Sequence, residues 1–174
     1  STFWLLVLGF LSFNLPFCNP KSDKSVSEEF YQTLFSENPD FISDGFDFPV
    51  GKPDAEGYYN AQIFGENAHL GDDWNGTGGG NTDLGDPVYS IANGYVTFAK
   101  EDGPGWGNVV RIVHTVPGNQ NKLVVSLYAH LEEMTAEENT FVKRGQQIGT
   151  IGNANGEYIA CLLYTSPSPR DIGE

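Results

Sequence analysis

Apolar positions along the chain fall into three regimes. From Phe3 to Phe17 they run almost unbroken, as "FWLLVLGFLSFNLPF". A polar stretch, Asn19 to Lys24, comes next. Then "SVSEEFYQTLFSENP" sets Ser25 and Glu28 at capping-box spacing and Phe30, Leu34 and Phe35 on one helical face, which predicts a short helix ending before Pro39. Beyond about Phe41 the helical period vanishes. "GYVTFAKED", "NVVRIVHT" and "LVVSLYAHL" are alternating or β-branched runs separated by "GPGWG" and "VPGNQNK", which predicts antiparallel strands joined by turns. Asn93-Gly94 is a dipeptide favoured in tight hairpins. The expected organisation is an N-terminal apolar segment (1–18), a polar segment with a short helix (19–40) and a mostly β domain (41–160), with no internal repeat.

A chain of 174 residues with 39% hydrophobic and 13% aromatic content is of one-domain length and able to bury a core. Its formal net charge of −14 argues against nucleic acid and anionic lipid as partners, since both need clustered Lys and Arg. The two cysteines, Cys18 and Cys161, are too few for a disulfide framework and badly spaced for a thiolate metal site. The apolar run is shorter than the roughly 20 residues of a membrane span and has the character of a signal-peptide core. The reading frame is expected to begin upstream of Ser1. An exported protein of the cell envelope or periplasm follows, with no membrane span in its mature form. Leu15 and Cys18 are spaced like a lipoprotein cleavage box, although Phe17 stands where a small residue is preferred, so a lipid anchor at Cys18 and plain cleavage both stay open.

Candidate chemistry rests on three histidines. In "HLGDDW", Asp73 follows His69 by four residues, which on a straight strand would leave them roughly 13 Å apart. Zinc needs its donor atoms about 2 Å from itself, so shared ligation requires a bend, which Gly71 permits. On spacing alone, a surface loop with a solvated Asp pair is the competing reading. Asp73, Asn75, Thr77 and Gly78 also match the opening of a calcium loop, but Leu84 stands where a bidentate Glu is needed and no helices flank it. "GGGNTD" occurs once and carries Asn81 where a calcium-binding β-roll needs Gly. In "LYAHL", Tyr128 and His130 are expected to project from one face near a strand end, where His130 reads equally as a catalytic group or a surface cap. His114 alternates with Val110 and Ile112 and is read as a structural residue of an apolar face.

Taken together, these stretches resemble the lysostaphin-type zinc endopeptidases of bacterial cell walls. "HLGDDW" is similar to that family's His-x-x-x-Asp motif, "GDPVYSIANGYVTFA" to its next hairpin, and "GWGNVVRIVH" to the strand after it. "YAHL" is similar to the catalytic-histidine motif and "VKRGQQIGTIGNANG" to the final Gly-rich approach. The resemblance covers Phe48 to Ala160, with the motifs in order. It implies a mostly β fold with an antiparallel sheet core of the lysostaphin-type (duplicated hybrid motif) kind. It also implies Zn2+ as cofactor, His69 and Asp73 as metal ligands, His130 as a catalytic histidine and peptidoglycan peptides as substrate; Asp72, beside the ligand, is expected to be either solvated or in support of the metal site. Zinc with an open coordination position lowers the pKa of bound water for attack on a peptide carbonyl.

In that family a His-x-His motif, whose second histidine is the third zinc ligand, should follow "GNANGEY". Here "YIA" is followed by Cys161, Leu162 and Leu163, and no histidine occurs after His130. "CLLYTSPSPRD" resembles the translation of a transposase adapter used in preparing sequencing libraries, so residues 161–174 are expected to be read-through and the family domain to be incomplete. The printed chain is then expected to be inactive and its parent a peptidase. The alternative is a non-catalytic wall-associated regulator or activator of the same fold. A biotinyl- or lipoyl-type carrier domain is a further rival, but Lys100 lacks the flanking pattern of a modified lysine.

Overall fold

The structure is a computed structural model that describes residues 22–165, with side chains described from Glu28 onward. The N-terminal apolar run, Cys18 and residues 166–174 lie outside the described residues, and with them the expectations of export and lipidation and most of the tail. Among the described residues, no helix is long and apolar enough to cross a membrane.

Helix α1 spans Ser22–Glu37. It begins three residues before the expected cap, so Ser25 lies inside it; Ser22 and Asp23 are residue types that start helices equally well. The buried face also differs from expectation. Phe30 is 55% exposed, whereas Phe35 is buried. Tyr31 and Phe35, one turn apart, lie against Tyr95 and Phe141, with ring centroids 6.3 and 6.1 Å apart respectively. Phe30 precedes Tyr31 by roughly 100° around the axis, which turns it outward.

Nine strands follow among the described residues. They are β1 (Tyr58–Gln62), β2 (Asp72–Gly76), β3 (Pro87–Tyr89), β4 (Gly94–Glu101), β5 (Asn108–Val116), β6 (Asn119–Met134), β7 (Phe141–Val142), β8 (Gln147–Ile151) and β9 (Leu162–Thr165). The sheet runs β1-β2-β9-β6-β5-β4-β7, with β8 paired to both β3 and β6. Every pairing is antiparallel. The alternating runs seen in the sequence form β4, β5 and β6, and Pro117-Gly118 makes the turn between the last two.

The core gathers the inward positions of these strands: Val88, Val96, Val110, Ile112, Tyr128, Ile148, Ile151 and Leu162 are all fully buried. Tyr128 carries a polar atom into this core, and its hydroxyl accepts a hydrogen bond from the Ile91 amide at 3.1 Å. A buried hydroxyl without such a partner would cost on the order of 1–3 kcal/mol.

Asn93-Gly94 does not make the expected hairpin, because β3 pairs with β8 and β4 with β5 and β7. The Asn93 side chain instead donates to the Ile42 carbonyl and accepts from the Arg144 amide, both at 2.9 Å. Gly94 is required by close approach: a Cβ there would meet His114 Nδ1 at 2.5 Å and the Val113 carbonyl at 2.6 Å. His114 is fully buried, as its apolar alternation implied. Its Nδ1 donates to the Asn93 carbonyl at 2.9 Å, which leaves Nε2 to accept from the Ser126 hydroxyl at 2.7 Å.

Candidate metal centre

His69 and Asp73 converge although four residues separate them. The chain turns over residues 64–68, where the His69 amide donates to the Glu66 carbonyl at 2.8 Å and the Gly65 amide to the His69 carbonyl at 2.9 Å. Asp72 ties this turn to β2 by accepting from the Phe64 amide at 2.9 Å. The chain then bends at Leu70 and Gly71 before β2 begins. Gly71 serves close approach as well, since a Cβ there would lie 2.6 Å from the Tyr164 carbonyl oxygen. The outcome is His69 Nε2 placed 3.3 Å from Asp73 Oδ2.

His130 reaches the same place by a different device. Val110 pairs with Tyr128 and Asn108 with Leu131, so Val109 alone faces both Ala129 and His130. This is a β-bulge, and His130 occupies its left-handed position with φ of +63°. The bulge breaks the strand's alternation. Tyr128 therefore lies in the main core while His130 lines an open cavity, and the expectation that both project from one face fails for that reason. The His130 amide donates to the Trp106 carbonyl at 2.9 Å. Its ring nitrogen Nε2 lies 2.9 Å from the Gly105 carbonyl and Nδ1 lies 3.3 Å from Cys161 Sγ. A carbonyl only accepts, so Nε2 carries the proton and Nδ1 takes the thiol hydrogen.

The cavity has a volume of about 820 Å3, and His69, Asp73, His130, Tyr158, Cys161 and Leu163 all line it. Burial, with Asp72 adding to it and His69 opposing it, raises the Asp73 carboxyl above its ordinary range. Burial also lowers His130, although the Gly105 carbonyl and Glu157 act against that shift. Cys161 is pushed up to about 12, chiefly by burial and then by Asp73 and Asp83, so its thiol stays protonated at neutral pH.

Two observations bear on whether these residues suit a zinc ion of the family's kind. His69 Nδ1 and Asp73 Oδ1 are buried polar atoms with no hydrogen-bond partner. Donor atoms of Asp73, His130 and Cys161 also lie within 4.8 Å of one another. Against this, Leu163 pairs with Asp73 across β2 and β9 and offers no donor, and the nearby thiol must lose a tightly held proton before it can bind a metal. The residues present leave the family's zinc set incomplete.

Sequence reasoning singled out His69, Asp73 and His130, and the structure brings all three to one cavity. Sequence reasoning also placed Cys161 and Leu163 where the His-x-His motif was expected, but did not find Gly105 or Tyr158 as neighbours of that site. The Gly- and Asn-rich "GNANGEY" was the available signal, because so many turn residues just before a strand mark a loop held in one shape.

Comparison with known proteins places this geometry in context. The family described as Peptidase family M23 matches residues 73–167. The lipoprotein NlpD of Yersinia enterocolitica is 36% identical over 69 residues, covering 40% of this chain and 65% of that protein. The cell division protein DipM of Caulobacter vibrioides (strain NA1000 / CB15N) is 35% identical over 72 residues, covering 41% of this chain and 11% of that protein. The match thus spans less than two thirds of either relative. Among solved structures, a peptidase M23 protein of Pseudomonas aeruginosa superposes with a TM-score of 0.55 at 18% identity, covering 88% of this chain and 65% of that one. The catalytic domain of the prophage-encoded M23 protein EnpA from Enterococcus faecalis gives a TM-score of 0.51 at 19% identity, covering 74% and 98%. At such identities these two show a common fold.

Proposed function

The chain belongs to peptidase family M23, and from that premise we propose that it binds peptidoglycan peptides in the bacterial cell envelope as a non-catalytic, wall-associated regulator or activator domain. The observation that carries this reading is Leu163 across from Asp73. The family's chemistry needs a third protein ligand, and an aliphatic side chain stands beside the two that remain. His69, Asp73 and His130 then serve as polar anchors in a cavity of about 820 Å3, a volume usual for a ligand site. The Asp73 carboxylate, whose Oδ1 has no hydrogen-bond partner, accepts from a peptide amide, while His130 keeps Nε2 on the Gly105 carbonyl and Nδ1 on the Cys161 thiol.

Binding and cleavage are separable in one experiment. The chain is incubated with purified peptidoglycan, with and without a chelator, and both retained protein and released peptides are measured. Retention that ignores the chelator, with no released peptide, is the expected result. Chelator-sensitive peptide release would overturn it.

A second reading has its own observations. The unpartnered His69 Nδ1 and Asp73 Oδ1 are costly unless something satisfies them, and a metal would do so. "CLLYTSPSPRD" supports residues 161–174 as adapter read-through in place of the protein's own sequence. On that reading the parent is a zinc endopeptidase of peptidoglycan, with histidines at the two positions of β9 and its preceding bridge that face the cavity. Reading the source locus across Ala160 decides between the two: codons for His-x-His favour the peptidase, and codons for Cys-Leu-Leu leave the regulator.

A further inference from the structure

His130 is held at several points. Its backbone is fixed by the amide bond to the Trp106 carbonyl and by Gly152, where a Cβ would sit 2.3 Å from the His130 carbonyl oxygen. These contacts place Cα but not the imidazole. Rotation about the last side-chain bond of histidine is broad and roughly two-fold, and a half-turn would put the ring carbons Cε1 and Cδ2 where Nε2 and Nδ1 now lie. Two hydrogen bonds resist that half-turn, Nε2 to the Gly105 carbonyl and the Cys161 thiol to Nδ1.

A further restraint is a ring. Tyr158 stacks on His130 with centroids 5.0 Å apart and planes 30° apart, although it is 49% exposed. A half-exposed side chain holds such a pose only if its backbone is fixed, and this one is. The Tyr158 amide donates to the Asn153 carbonyl at 3.1 Å and the Gly156 amide to Asn153 Oδ1 at 2.8 Å. Beyond the tyrosine, the Ala160 amide donates to Asn81 Oδ1 at 2.9 Å and its carbonyl accepts from Asn75 Nδ2 at 3.2 Å. The loop is tied down on both sides of Tyr158.

We propose that Tyr158 is a positioning residue for His130: its ring, lying against the imidazole, keeps Nε2 on the Gly105 carbonyl and Nδ1 turned into the cavity. An imidazole turning about its last bond sweeps out of its own plane, and the tyrosine ring blocks that sweep on the open side. The inference rests on His130 being a working group of this cavity, and it adds the residue that keeps a ring nitrogen, and not a ring carbon, turned into the cavity.

The test reads the side-chain nitrogen shifts of His130 in the 15N-labelled chain, with no wall material and no metal present. Its failure and that of the proposed function are therefore distinguishable. The wild-type chain is expected to show the Nε2-protonated tautomer alone. Tyr158→Phe, which keeps the ring, is expected to preserve it. Tyr158→Ala is expected to let the ring turn off the Gly105 carbonyl, which no longer holds the proton on Nε2 and so gives averaged shifts from both tautomers, and Cys161→Ala to leave the wild-type pattern intact. The buried His114 signals report folding in each variant; should the alanine variant lose them, Tyr158→Ser replaces it with the same expectation. An unchanged single tautomer in the folded Ala or Ser variant would overturn the proposal, as would averaging caused by Cys161→Ala alone.

Discussion

Leu163 pairs with Asp73 across the β2 and β9 strands, and its side chain lines the cavity that His69 and Asp73 share. One residue thus separates this site from three neighbouring donors. Leu163→His is expected to tighten zinc binding at least about tenfold, since even partners outside the ligand set shift metal affinity ten- to hundredfold. Competition against a chromophoric chelator measures it. Equal affinities for the two chains would show that position 163 does not face the ion.

His114 should make the fold sensitive to acid. Burial lowers its pKa from the ordinary 6.5 to about 4, so as pH falls the unfolded chain takes up this proton first. Stability attributable to His114 is therefore full above about pH 6.5, declines between there and about pH 4, and falls no further below. The whole loss is about 3 kcal/mol. Urea unfolding of the wild type and His114→Gln at pH 7 and pH 5 tests this. The variant is expected to be less stable at pH 7, having lost its bonds to Asn93 and Ser126, but to change less between the two pH values.

Gly152 is the place where β8 ends against the His130 bulge. A Cβ there would lie 2.3 Å from the His130 carbonyl oxygen and 2.4 Å from the Glu132 amide nitrogen, and neither backbone atom can rotate away. Gly152→Ala is expected to cost about 1–3 kcal/mol, the usual range for overpacking. Thermal unfolding checks the loss, and the His130 amide signal should shift while that of His114 stays in place.

Cys161 is expected to be slow to react. With its pKa near 12, the thiolate fraction at pH 8 is on the order of one in ten thousand. In the Cys18→Ser chain, a disulfide reagent should label the native protein far more slowly than the urea-unfolded one. Rapid labelling of the folded chain would mean that Cys161 is neither buried nor bonded to His130 as described.

Much of the sheet was legible beforehand. β4, β5 and β6 announced themselves by alternating or β-branched runs, although β5 is buried on both faces, and Pro117-Gly118 marked the turn that joins β5 to β6. The helix was visible too, but its contact face was not, since Phe30 and Tyr31 are neighbours of similar apolar character and only packing on Tyr95 and Phe141 decides which turns inward. Asn93-Gly94 misled for a related reason: the same dipeptide suits a tight hairpin or a tightly packed strand start. His69, Asp73 and His130 were found through motif resemblance, whereas the bulge that separates His130 from Tyr128 leaves no mark in the alternation of "SLYAHL". Contacts from Gly105 and Tyr158 come through loops, where no periodicity exists to read.

The place of β9 between β2 and β6 governs how the domain can be made. Both neighbours leave the ribosome well before it does, and until Leu162–Thr165 emerges each presents an unpaired edge to other nascent chains. The β1 and β2 hairpin joins the rest of the sheet through this strand, so closing it demands pairing across a long sequence separation, which is slow. Shortening the chain ahead of residue 161 would therefore do more than empty a cavity wall. It would leave a split sheet with two sticky margins, a species made for aggregation and for chaperones.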